Sequence, residues 1–175
     1  MPHRPSWFLP FIRLLGVSLC WLAMGIGAQT APLQLTKAQA TIEVDGEVRH
    51  FEATLPYAWD WWHRGSRGHA EFEMSLPLQD IPKEPWFLYF LRLGNAYEVR
   101  LNGALLDSKG DLKTFDRDDY GQVPRLITIP VGLLRQDNLI RVRIRADHAR
   151  RAGVASPVVG SHEDTFPLYE TEYLQ

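Results

Sequence analysis

AYEVRLNGALL, Ala96 to Leu106, alternates apolar and polar residues up to a two-residue turn and then doubles back. Side chains along a strand alternate between its two faces. Tyr97, Val99 and Leu101 therefore share one face, and Glu98, Arg100 and Asn102 the other. Asn102-Gly103 supplies the two positive φ values of a type I′ turn, which brings ALL, Ala104 to Leu106, back as a partner strand. A hairpin with one apolar face needs a second layer to cover it, so this stretch already predicts a sheet packed on something.

Working outward, the same period recurs. Ala40, Ile42 and Val44 alternate with Thr41 and Glu43 before Asp45-Gly46, a second hairpin signal. Phe72, Met74 and Leu76 alternate with Glu71, Glu73 and Ser75. PWFLYFLRL, Pro85 to Leu93, is apolar on both faces and predicts a central strand covered from both sides. Leu126, Ile127 and Ile129 mark another strand, and Val131 to Gln136 a single helical turn before Asp137-Asn138. Ile140, Val142 and Ile144 point inward in the last clear strand, with Arg141, Arg143 and Arg145 expected on a solvated face. No long amphipathic helix competes with this pattern. The fold class is therefore all-β, a β-sandwich with jelly-roll topology. Asp107 to Gln122 is its one long polar loop, and Ala149 to Gln175 is sparsely patterned.

The first 28 residues read as a targeting segment. Arg4 and Arg13 form a basic front, and Leu14 to Ile26 is an apolar stretch of 13 residues, short for a bilayer span and suited to a secretory signal. The expected division is 1–28 signal peptide, 29–38 N-terminal linker, 39–170 β-sandwich and 171–175 exit segment. Without the signal, 19 basic against 21 acidic residues becomes 17 against 21, because only Arg4 and Arg13 are lost. A mildly acidic chain argues against a nucleic-acid partner. Cys20, the single cysteine, goes too, so no disulfide remains and the core must suffice alone. The destination is periplasmic or secreted.

Four stretches carry a family resemblance: LPYAW at Leu55 to Trp59, GHAEFEMSLPL at Gly68 to Leu78, AYEVRLNGALL, and DNLIRVRI at Asp137 to Ile144. In that order they resemble the galactose-binding-like jelly roll, over roughly Thr41 to Tyr169. That fold is known in two settings. One is the non-catalytic sugar-binding domain of family 2 glycoside hydrolases. The other is the periplasmic input domain of bacterial membrane receptors, histidine kinases and diguanylate cyclases among them. Both carry the strand-LNG-strand hairpin and a closing strand introduced by Asn. Where a Trp-Tyr-Arg run is common in these domains, this chain reads Ala70-Glu71-Phe72. FPLYETEYLQ resembles the exit segment that leads such receptors into the membrane, so the resemblance implies a signalling input domain joined to a membrane-embedded region when the chain is a fragment. The alternative is a carbohydrate-binding accessory module of a glycoside hydrolase system.

No catalytic constellation is visible. His50, His63, His69, His148 and His162 are scattered without metal-ligand spacing, and Asp116-Arg117-Asp118-Asp119 lacks the glycine and distal glutamate of a calcium loop. Neither a metal nor a cofactor is expected, and any enzyme activity belongs to a domain outside this chain. WDWWHRGSRGH, Trp59 to His69, is the exception in chemistry. Aromatic faces stack on the C–H faces of sugars while arginine, histidine and carboxylates bind hydroxyls. Trp59 stands where the resembling domains place a tryptophan that plugs the sandwich end. Trp61 and Trp62 would face opposite sides of an extended chain, one inward and one out, and an exposed ring there serves a ligand, a partner domain or a membrane interface. The candidate ligand-binding residues are Trp61, Trp62, His63, Arg64 and Arg67, with Asp116, Asp118 and Tyr120 as second contributors and a small-molecule or carbohydrate-like ligand as partner.

Overall fold

The computed structural model describes residues 31–173, so the expected signal segment lies outside the described residues. The elements are β1 (Leu33–Gln34), β2 (Lys37–Val44), β3 (Glu47–Thr54), β4 (Tyr57–Ala58), α1 (Trp59–Trp62), β5 (Gly68–Pro77) and β6 (Trp86–Phe90). They continue with β7 (Ala96–Leu101), β8 (Ala104–Lys109), β9 (Arg125–Ile129), β10 (Asp137–Ala146), β11 (Gly153–Val154), β12 (Val158–Gly160) and α2 (His162–Tyr173). A six-stranded antiparallel sheet, β3-β2-β5-β10-β7-β8, faces a four-stranded one, β1-β12-β6-β9. Phe72, Met74, Val99, Val142 and Ile144 from the larger sheet meet Leu88, Phe90, Ile127 and Ile129 from the smaller in one continuous core. The all-β sandwich is thus what the alternation implied: with one apolar face per strand, two sheets bury each other.

Both hairpin turns form as their residues dictate. Asp45 and Gly46 take φ of 52° and 83°, and Asn102 and Gly103 take 51° and 87°. Asn102 has a second task. Its Nδ2 donates to the carbonyl of Leu133 and to Asn138 Oδ1, both at 2.9 Å, and its Oδ1 accepts from the Leu139 amide at 2.9 Å. Asn138 Nδ2 in turn donates to the carbonyls of Leu76 and Arg135. The asparagine of the LNG hairpin and the one that opens β10 are therefore one joint. It ties three strands and the turn before β10 into a fixed register, and leaves little buried amide unsatisfied.

Strand β6 is covered from both sides, as its composition requires. Trp86, Leu88 and Phe90 enter the core, while on the outer face Phe87 meets His162 of α2 edge-on at 5.2 Å. His162, Phe166, Tyr169 and Tyr173 continue that contact as a ladder of rings along α2.

Four expectations need correcting. The described part of the expected linker, residues 31–38, holds strand: β1 pairs with β12, and β2 begins at Lys37. The exit segment does not start at 171, because α2 runs unbroken from His162 to Tyr173. Val131 to Gln136 forms a turn, with the Leu133 amide reaching the Pro130 carbonyl and Gly132 at φ 90°, a conformation no helix accommodates. The largest correction concerns Arg145. Arg141 and Arg143 do lie on the solvated face and pair with Glu71 and Glu73 across β5. Arg145 is 0% exposed.

The reason is the long loop between β8 and β9, which folds back over this end of the sheet. Arg145 Nε and Nη2 donate to the two carboxylate oxygens of Asp147, each at 2.8 Å. Its remaining donors reach the carbonyls of Asp111, Thr114 and Asp118. Five donors find five acceptors, the full capacity of a guanidinium. Asn95 completes the knot: its Oδ1 accepts from the Asp147 amide at 2.8 Å and its Nδ2 donates to Asp119 at 2.9 Å.

Candidate functional site

The WDWW stretch is helical where extended chain was expected. The Trp59 amide donates to the Ala152 carbonyl, and the His63 amide returns to the Trp59 carbonyl at 2.8 Å, closing one turn. Trp59 is fully buried, its indole N–H donating to the Ser66 carbonyl at 2.9 Å, so this ring pins both ends of the loop. Gly68 sits against it: a Cβ there would fall 2.1 Å from the Glu43 carbonyl and 2.8 Å from the Trp59 ring. With Trp59 inward, the helical rotation sends both following rings outward. Trp61 is 83% exposed and Trp62 69%. The expectation of one inward and one outward ring assumed the wrong period.

The two rings overlook different depressions. Trp61 borders a cleft of about 730 Å³ at one end of the sandwich, within the range of small-ligand sites. Its walls are the β4–β11 ladder, the residues after β6, and the segment following Asp147. Leu93 and Val154, joined by a bridge, form the buried apolar floor. Gly153 is needed there, since it holds φ 139° and a Cβ would lie 2.1 Å from the Tyr57 carbonyl. Asp60, Arg64, Arg92, Arg150 and Arg151 supply the charged lining.

Trp62 instead stacks on Tyr57, ring centroids 6.3 Å apart at 16°, and borders a second groove with Asp45, Glu47 and Arg49. His63 lies between the rings of Tyr57 and Trp59, and its Nε2 pairs with the Tyr57 hydroxyl at 2.8 Å. Burial, helped by the positive charge of Arg49, lowers the His63 pKa below 6.5, so the ring is neutral at neutral pH. Burial likewise pushes the Tyr57 hydroxyl up to about 12. This pair holds the loop in shape.

The remaining sequence candidates lie elsewhere. Arg67 sits over the Phe115 ring at 4.9 Å and within 3.9 Å of Asp116, joining the tryptophan loop to the β8–β9 loop. Asp118 gives its carbonyl to Arg145 and Arg150 and its carboxylate to the Asp111 amide. Tyr120 packs near Gly110, with Arg125 5.9 Å above its ring. Of the eight candidates, the cleft brings together Trp61 and Arg64; Arg64 also borders the second groove. Sequence reasoning missed Arg92, Arg150 and Arg151. The one signal was the adjacent pair Arg150-Arg151 in an otherwise acidic chain. Among the described residues, no group of three or more His, Cys, Asp or Glu side chains is placed to hold a metal.

No family model matches the sequence, and no curated protein matches it either. Solved structures do match in fold. A family 2 β-galacturonidase from Eisenbergiella tayi bound to galacturonate superposes with a TM-score of 0.52 at 16% identity, over 73% of this chain and 24% of that one. A β-glucuronidase from Ruminococcus gnavus in complex with D-glucaro-δ-lactam gives 0.57 at 14% identity, over 74% and 29%. An FMN-binding β-glucuronidase from Faecalibacterium prausnitzii L2-6 gives 0.53 at 16%, over 73% and 22%. The fold is that of a β-sandwich segment found in family 2 glycosidase chains, and this chain spans about a quarter of their length.

Proposed function

We propose that the chain is a non-catalytic binding module that takes a carbohydrate-like ligand in the cleft beside Trp61, as an accessory to a glycoside hydrolase. The observation that carries this reading is the cleft itself: a ligand-sized hollow with an apolar floor, an indole exposed at its rim and hydrogen-bond donors around it. A ring that costs about 2 kcal/mol or more to leave in water stands 83% exposed there, which suits stacking on a sugar face. Likeness in fold to family 2 glycosidase segments supports the same reading. The module works outside the cytoplasm if residues 1–28 export it.

Screening the purified protein against a glycan array, followed by calorimetry on the hits, tests the proposal. Trp61→Ala should abolish binding while Trp62→Ala retains it. Binding lost only with Trp62→Ala would move the site to the second groove. Hydrolysis of a chromogenic glycoside by the protein alone would overturn the non-catalytic reading.

A second reading, the input domain of a membrane receptor, draws support from α2. Its ring ladder runs from the outer face of β6 to Tyr173, so a shift of the small sheet would be carried along the helix axis. A ligand that acts this way must bind the two arrangements with different affinity. Fluorescence of a probe on α2 that changes on adding a glycan hit would favour this role, and an unchanged signal would remove it.

A further inference from the structure

We infer that the ligand of the Trp61 cleft bears an anionic oxygen group (carboxylate, sulfate or phosphate) that is held by Arg64, Arg92 and Arg151. The inference rests on the cleft reading proposed above and adds to it the sign of the ligand's charge. Among the described residues, four arginines and a single carboxylate, Asp60, line the cleft. The chain as a whole carries a net charge of −2, so this concentration of positive charge runs against its composition.

The arginines differ in what they already hold. Arg150 is committed to the wall, with its guanidinium near Asp147 and donating to the Asp118 and Asp116 carbonyls. Asp147 is buried, with both oxygens held by Arg145 and Arg150 alongside, and no ion pair among the described residues links it to Arg64, Arg92 or Arg151. Asp60 is turned to the wall too, accepting from the Ala152 amide at 3.4 Å. Arg64, Arg92 and Arg151 have no side-chain hydrogen bond or ion pair among the described residues; where Arg92 and Arg151 do make bonds, it is through their backbone carbonyls. Elsewhere the chain pairs its arginines readily: Arg49, Arg100, Arg141 and Arg143 each face a glutamate.

Three uncommitted guanidinium forks around one hollow form a receptor for planar or tetrahedral oxyanions, which they bind in bidentate fashion. A neutral sugar would leave those like charges at the cleft without a counter-charge. An anion on a ring that stacks on Trp61 would relieve that repulsion and use the apolar floor as well.

The test uses calorimetry on the full chain with six probes: trigalacturonate, its uncharged methyl ester, galactose 6-sulfate, glucose 6-phosphate, inorganic sulfate and inorganic phosphate, each at low and high salt. Binding of at least one charged probe, at least tenfold tighter than the methyl ester and weakened by salt, is the expected result. The charged probe that binds identifies which oxyanion is meant. Arg151→Gln and Arg92→Gln should each weaken it about tenfold, equivalent to about 1.4 kcal/mol, without moving the thermal midpoint. Arg143→Gln, on the outer face of the large sheet, should change nothing. Equal binding of trigalacturonate and its ester overturns the inference while leaving the carbohydrate reading intact. Binding of inorganic sulfate or phosphate with no sugar bound would sustain the anion site and sink the carbohydrate reading. Silence from every probe overturns both.

Discussion

Arg145 and Arg151 stand six positions apart and meet opposite fates. The first is sealed beneath a loop with every donor occupied; the second opens onto a cleft with its guanidinium unclaimed. What separates them is the supply of acceptors. The β8–β9 loop delivers three carbonyls and the chain supplies Asp147, so Arg145 serves as scaffold, whereas the cleft offers one carboxylate to four cations. Residue type alone does not decide between a structural and a receptive arginine; the acceptors that the fold brings within reach do.

The most severe way to break this contrast is to remove the buried cation. Arg145→Met takes both guanidinium bonds from buried Asp147 and the donor from the Asp111 and Thr114 carbonyls, leaving Asp118 only Arg150, and the expected loss is about 3–5 kcal/mol in urea denaturation, with proteolysis starting within residues 110–121. Replacing Asp147 by Leu in the same chain should recover a good part of it, because an absent pair costs less than half of one. Asn138→Ala should cost about 1–3 kcal/mol by the same assay, since it frees the Leu76 and Arg135 carbonyls and leaves Asn102 Nδ2 one acceptor short.

A smaller effect separates scaffold from rim by pH. His63 is favoured neutral in the folded protein, chiefly by burial and then by Arg49, with Tyr57, Trp59, Trp62, Asp45, Glu47 and Arg64 around it. Its lowered pKa means that the unfolded chain takes up the proton first. The stability it contributes is complete above about pH 6.5 and falls away as pH drops through the folded value. Thermal midpoints measured from pH 7.5 down to 5 should decline, and His63→Gln should flatten that decline. The smallest change in stability belongs to the rim: Arg64→Gln, Arg92→Gln and Arg151→Gln should each stay within about 0.5 kcal/mol of the parent.

The sheets were legible in the sequence because alternation reports burial directly. β2, β5, β7, β9 and β10 appear where Ile42, Phe72, Val99, Ile127 and Val142 said they would, and the turns at Asp45-Gly46 and Asn102-Gly103 follow from local φ preference. What escaped depends on contacts distant in sequence. Arg145 continues the alternation of Arg141 and Arg143, and nothing local reveals that carbonyls more than 25 residues away will enclose it. Trp61 and Trp62 were misassigned because four residues are too few to distinguish a helical from an extended period. The cleft was half legible: Trp61 and Arg64 belong to the conspicuous loop, while Arg92 trails an apolar strand and Arg151 lies in a stretch without pattern.

The clamp of Arg145 grips the β8–β9 loop by its main chain at Asp111, Thr114 and Asp118, and a main-chain grip is indifferent to which side chains the loop displays. An exposed position such as Lys113 is therefore open to replacement while the path of the loop is preserved. That makes this end of the sandwich a graftable scaffold, where new recognition chemistry can be written by evolution or by a designer at little expense to folding.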